Sequence, residues 1–293
     1  MKIIALLILS TILLIFTPHL WAEPIMVAIL EQPQCKPHSP MAVRVLFSKK
    51  GGKWLALDNA AAAKTFDMSN ITWTIAFDGR NFGNLKTFDH GFSTPYEWTY
   101  SRDRLLEISP NQEIPKIQNK DKGFGGWCDA PDYRPLVLVN EPNYKDPSGW
   151  KPFHPDGSFK KLLFIKFKAV VGVAHNCLDS YQNKASPFNY TVKDLTIYKA
   201  YQNKAGQQLI SIGLDRKHYK CDGPIETAWT PHWFLMSKEI TYVGNDLSLI
   251  DAGDYDNDGK SEMMFWYIGY NEDGYTLFYD DFKKRVDYHW KYH

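Results

Sequence analysis

The sequence predicts an all-β protein, and three observations carry that prediction. Aromatic residues are abundant, with 10 Trp, 17 Tyr and 17 Phe, and aromatic and β-branched side chains suit a pleated, half-buried surface. Apolar runs of strand length are bounded by Gly, Pro, Asn and Asp, which is the punctuation of strands and turns. Only one good helix start is legible, Asp58 ahead of Asn59–Lys64, where four alanines supply one or two turns. The apolar fraction of 44% against 23% charged excludes a disordered chain, because enough surface can be buried to offset the ordering entropy.

Taken in chain order, Lys2 precedes a run of mostly apolar residues, Ile3–Phe16, then Leu20-Trp21-Ala22 ahead of Glu23-Pro24. A basic start, an apolar stretch and a small residue at the cleavage position are the parts of a secretory signal peptide. We therefore expect residues 1–22 to be removed and the protein to be secreted or periplasmic. The apolar run is shorter than the roughly 20 residues that span a bilayer, which disfavours an uncleaved anchor, and no second apolar run is long enough to span, so stable membrane insertion after cleavage is not expected. The whole chain carries 34 Lys and Arg against 33 Asp and Glu; removal of residues 1–22 takes away Lys2 and leaves 271 residues at 33 against 33. That balance lacks the basic excess of a nucleic-acid binder or of a polybasic membrane-surface protein.

In the region 23–244, Met41–Phe47, the Lys50-Gly51-Gly52-Lys53 turn and Trp54–Leu57 read as a hairpin. Ile71–Phe77 alternates large apolar with smaller residues and ends at the turn dipeptide Asp78-Gly79. Leu162–Val173 is rich in β-branched and aromatic residues and predicts one or two strands; Leu195–Tyr201 and Leu209–Leu214 predict two more. Long loops rich in Gly and Pro are expected at 110–135, 141–157 and 215–231.

Four cysteines, Cys35, Cys128, Cys177 and Cys221, have none of the close pairs of a zinc framework. In an oxidising compartment they imply two disulfides with three possible pairings, of which Cys177 with Cys221 and Cys35 with Cys128 is preferred. Two loop segments, around Trp150 and around Trp229, His232 and Trp233, place aromatics beside proline, where exposed rings can stack on a sugar face or a peptide; filling the core is the competing role. No nucleophile elbow, P-loop, dinucleotide fingerprint or zinc-protease motif occurs, and no catalytic residue is assigned.

The most informative segment runs from Asp251 to Glu262. Counted from Asp254, carboxylates stand at positions 1, 3, 5 and 9 (Asp254, Asp256, Asp258, Glu262) with Gly259 at position 6. A calcium ion takes about 6 to 8 oxygen ligands, and a loop that turns alternate side chains inward around a glycine bend supplies them. Asp254, Asp256 and Asp258 are expected as direct ligands, the Lys260 carbonyl as a backbone ligand and Glu262 as the closing carboxylate. An EF-hand would need an acid at position 12 and flanking helices; position 12 is Phe265, and both flanks read as strands.

Gly253-Asp254-Tyr255-Asp256-Asn257-Asp258-Gly259-Lys260-Ser261-Glu262 resembles the loop of the FG-GAP/VCBS-type repeat family, in which Asp is commoner where Glu262 stands. The resemblance covers 245–293, where four strands fit: the run before the loop, Glu262–Tyr270, Tyr275–Tyr279 after a turn at 271–274, and Arg285–Tyr292. In the last of these Val286, Tyr288, Trp290 and Tyr292 share one face. The resemblance implies a β-propeller-like fold with Ca²⁺ in its last blade and degenerate blades in 23–244, closed by a strand at Pro24–Leu30. A β-sandwich followed by a small calcium-bearing sheet is the alternative. The expected function is an exported binding or scaffolding module with structural calcium and an unknown protein or glycan ligand; a glycan-binding or glycan-degrading protein using the aromatic loops is the other expectation.

Overall fold

The computed structural model describes residues 24–31, 41–58, 60–93, 103–115, 124, 134–177, 185–219 and 225–292. Residues 1–22, where a signal peptide is expected, and Cys35, Cys128 and Cys221 lie outside these residues, and Cys177 is described in its backbone alone. The expected cleavage site and the side chains of the four cysteines therefore lie outside what is described.

The protein is all-β, with eighteen strands and two α-helices among the described residues. The first part contains β1 (Ile25–Glu31), β2 (Ala42–Lys50), β3 (Lys53–Ala56), α1 (Ala60–Ala63), β4 (Thr72–Phe77), β5 (Arg80–Ser93), β6 (Asp103–Ile108) and β7 (Leu136–Val139). Their order is β1-β7-β4-β5-β6-β2-β3, and an additional pairing of β1 with β2 closes six of the strands into an antiparallel barrel. Closure removes the exposed edges that an open sheet would present. The β2–β3 connection has Gly51 and Gly52 both at positive φ, as the predicted two-residue turn requires.

Alternation along each strand separates the barrel's interior from its outer layer. Met26, Ala28, Leu30, Val43, Val45, Trp73, Ile75 and Phe77 belong to the interior, and the Trp73 indole N–H donates to Thr87 Oγ1 at 2.8 Å. Val27, Ile29, Phe47, Val137 and Val139 point outward into a second core. In β2 the pairing with β1 slips by one residue at Leu46. Without that bulge Phe47 and Lys49 would share the inward face of Val43 and Val45; with it they turn outward.

The middle part holds β8 (Lys151–Pro152), α2 (Lys160–Val171), β9 (Ala174–Cys177), β10 (Ala185–Phe188), β11 (Leu195–Gln202), β12 (Gln208–Leu214), β13 (His232–Met236) and β14 (Ile240–Asn245). Strands β14-β13-β12-β11-β8 form one sheet, with β9 and β10 a separate ladder. The strand expected within Leu162–Val173 is instead helix α2. Leu163 and Phe167, one turn apart, are fully buried with Ile210, Ile212 and Phe234, and packing of that face overrides the β-branched composition. Gly172 at φ 68 ends the helix, its N–H donating to the Lys168 carbonyl at 3.0 Å.

The last part is a sequential antiparallel meander, β15 (Leu247–Gly253), β16 (Glu262–Gly269), β17 (Glu272–Tyr279) and β18 (Lys284–Lys291). One face, with Ile250, Met264, Trp266, Leu277, Tyr288 and Trp290, packs on the outer layer of the barrel. The other, with Leu249, Phe265 and Phe278, packs on Trp233, Leu235 and Val243 of the middle sheet. The last sheet thus lies between barrel and middle sheet. Two expectations are corrected. The described sheets do not form a closed ring of blades, and β1 completes no blade, because its two edges are taken by β2 and β7.

Candidate metal centre

The acidic loop joins β15 to β16, and three of its carboxylates converge. Asp254, Asp256 and Glu262 each offer an oxygen within 4.8 Å of the others, and all three are buried. The loop holds itself by hydrogen bonds to these oxygens: Asp258 N–H and Gly259 N–H donate to Asp254 at 3.0 and 2.8 Å, and Tyr255 N–H donates to Glu262 Oε2 at 2.8 Å. Asn257 and Gly259 take the left-handed conformation, Asn and Gly being the residues that do so at least cost. Asp258 stands at the rim, its side chain 41% exposed, and Lys260 is exposed with its ammonium 3.2 Å from Asp280.

Lys49, more than two hundred residues away in sequence, completes the cluster. Turned outward by the bulge at Leu46, its ammonium donates to Asp256 Oδ2 and lies 3.6 Å from Asp258 Oδ2. Burial depresses the Lys49 pKa, but the hydrogen bond and charge of Asp256 and the charges of Asp258 and Glu262 outweigh it and raise it above the ordinary value. One ammonium facing four carboxylates leaves the loop anionic. Burial, reinforced by the charge of Asp256, pushes the Glu262 carboxyl up to about 9. The donor set is hard oxygen, as calcium requires, and a divalent cation is the partner that would let Glu262 ionise in place.

A second layer ties the loop to the barrel. In β15 the pairing slips at Ile250, so Asp251 faces the same buried layer as Ile250. There it accepts hydrogen bonds from the Tyr144 hydroxyl, from the Tyr255 hydroxyl at 3.2 Å and from Gly79 N–H at 3.2 Å. Tyr144 and Tyr255 stack at 5.8 Å. Burial, with the Asp251 charge, raises both phenols well above their ordinary value, keeping them as donors. Segment 144–150 clamps the loop: the Lys145 carbonyl accepts from Asp254 N–H at 2.8 Å, and Asp146 accepts from the Ser261 hydroxyl at 2.6 Å.

Burial raises the Asp251 carboxyl to about 6, against the opposing pull of Tyr144 and Arg134. Asp251 and Glu262 therefore both bind protons more tightly folded than unfolded, where they titrate near 3.8 and 4.5. Stability falls with rising pH wherever the native state holds more protons. With chelator present, the stabilisation is complete below about pH 4 and is lost through about 6 for Asp251 and about 9 for Glu262. Urea melts in chelator should show stability declining across this range, and Glu262→Gln should flatten the upper half. A stability that rises across that range would contradict the assignment.

The other residues singled out from sequence are placed differently. Trp229, His232 and Trp233 are buried instead of exposed on a loop: β13 starts at His232, Trp229 packs in the core beneath α2, and Trp233 lies between the two sheets. The His232 ring nitrogens face the Thr227 carbonyl and the Tyr242 hydroxyl at 2.7 and 3.2 Å, a satisfied core histidine. Trp150 lines an open cleft of ≈ 640 Å³ of mixed polar and apolar lining that also meets Tyr201, Asp78, Arg134, Asp146 and Lys204, and Trp233 reaches a smaller cavity with Tyr201, Leu247 and Leu249. Lys49, Tyr144 and Asp146 carried no local signal in the sequence, since their roles depend on strands brought together from afar. In comparison with known proteins, the chain matches no family model, no curated protein and no solved structure.

Proposed function

We propose that the protein is an exported calcium-binding β-protein, propeller-like in its last two sheets, that acts as a binding or scaffolding module. The observation that carries this reading is the convergence of Asp254, Asp256 and Glu262 in a buried loop at the contact between barrel and last sheet. Calcium there is structural: it compensates buried carboxylates and fastens the β15–β16 loop against β2. Two four-strand meanders in succession, β11–β14 and β15–β18, stacked face to face, support the likeness to propeller blades. Export rests on the sequence of residues 1–22.

The test is calcium binding followed by calorimetry and by melting in calcium and in chelator. At a calcium concentration about 100-fold above the dissociation constant, binding to the native state alone adds ~2.7 kcal/mol. The double substitution Asp254→Ala/Asp256→Ala should lower stability in chelator and abolish the calcium-dependent gain. Melting indifferent to both calcium and chelator in the unsubstituted protein would overturn the metal assignment. A glycan ligand is the second reading, favoured by Trp150 and Tyr201 in the cleft beside Asp78 and Asp146. A polysaccharide screen scored for binding and for reducing-end release separates a module from a hydrolase.

A further inference from the structure

Helix α2 has two apolar faces, and the sheet covers one of them. Leu163 and Phe167 are buried, whereas Leu162 and Ile165 are 56% and 63% exposed, Val170 is 42% exposed, and Val173 just beyond the helix is 65% exposed. Single exposed apolar residues are ordinary, but a contiguous group marks an interaction surface. At 3.6 residues per turn, Leu162, Ile165 and Ala169 form the outward stripe. Lys161 and Lys168 flank it on one side and Lys166 on the other. The helix contains four lysines and no acidic residue.

We infer that the outward face of α2 docks reversibly on an anionic lipid surface. The charge pattern selects this occupant. Among the described residues no ion pair engages Lys160, Lys161, Lys166 or Lys168, and the acidic residues on the adjoining segments, Asp156 and Asp194, accept hydrogen bonds from Ser158 and Thr191. Two copies of a face bearing three lysines and no carboxylate would repel each other. A lipid surface supplies both complements, with acyl chains for the stripe and headgroup charge for ammonium groups that reach outward along their apolar stems. No helix among the described residues is long and apolar enough to cross a membrane, so α2 would lie in the plane of the interface. The near-zero charge of the whole chain does not show the patch, because the patch arises only where the helix gathers Lys161, Lys166 and Lys168 around one apolar stripe.

Co-sedimentation of the full-length protein with vesicles of phosphatidylcholine, and of equimolar phosphatidylcholine and phosphatidylglycerol, tests the inference. Binding is expected to the anionic vesicles alone and to weaken with added salt. It should fall at least ~10-fold in Lys161→Glu/Lys166→Glu and in Leu162→Gln/Ile165→Gln. These side chains are outward-facing, so unchanged melting verifies the fold of each variant. The inference is overturned if the protein stays in solution with anionic vesicles, if both variants bind as the unsubstituted protein does, or if the face proves to mediate self-association in the absence of lipid.

Discussion

Lys49→Met is expected to make the protein dependent on calcium. In chelator the substitution removes the ammonium that faces Asp256, a side chain with no exposure to solvent, and leaves the loop carboxylates with one less counter-charge. Breaking a buried pair by deleting one partner costs about 3 to 5 kcal/mol; because the Lys49 side chain keeps 17% exposure, we expect ~3 kcal/mol. Calcium should restore most of the loss, since two positive charges among Asp254, Asp256 and Glu262 replace the one removed. It should also bind more tightly than to the unsubstituted protein, because no ammonium competes for Asp256. Urea melts in chelator and in calcium measure both effects, and Lys49→Arg, which keeps the charge, should stay closer to the parent. A loss in chelator that calcium leaves unrepaired would identify the cluster as an ion-pair network and remove the metal from the reading.

Gly253→Ala is expected to be nearly as damaging, for a steric reason. A Cβ at Gly253 would overlap the Tyr144 ring and its hydroxyl. That ring is held between Tyr255 and the backbone, with its hydroxyl on Asp251, so it cannot yield without abandoning a buried carboxylate. Overpacking costs about 1 to 3 kcal/mol and loss of a hydrogen bond to a buried charge a similar amount, so ~3 kcal/mol is expected. In a Tyr144→Ala background the same alanine should cost little, giving a large coupling in a double-mutant cycle. Equal costs in the two backgrounds would show that Tyr144 is not what requires glycine here. The first glycine of the loop motif is thus needed for close approach of a neighbouring ring, whereas Gly259, at φ 86 with open space around it, serves the turn itself.

Particular elements show how far the sequence could be read. The β2–β3 hairpin and β4 were legible because Gly51-Gly52 and Asp78-Gly79 demand left-handed turns, which local chemistry specifies. The shared face of Val286, Tyr288, Trp290 and Tyr292, which packs against the barrel, is legible because strict alternation leaves one reading. Helix α2 departs from the strand that composition predicts because the four-residue spacing of Leu163 and Phe167 puts both on one buried helical face. Trp229, His232 and Trp233 were expected on a loop because Pro231 marks a break, yet the chain enters β13 directly after that proline.

The sequence by itself determined the all-β class, the turns at Gly51-Gly52 and Asp78-Gly79, the order of the last four strands and the carboxylate spacing of the 254–262 loop, because each depends on residues close together along the chain; the turn expected at 271–274 lies instead at 270–271, ahead of β17. The tertiary structure alone decided the closure of the barrel, through pairings of β1 with β2 and with the distant β7. It also decided which groups meet at the loop. A one-residue bulge at Leu46 brings Lys49 to Asp256, and another at Ile250 brings Asp251 to Tyr144. The physical reason is that a single-residue slip reverses every later side chain in a strand, and whether it occurs depends on the partner strand and on the surface beneath it, neither of which is written into the strand's own residues.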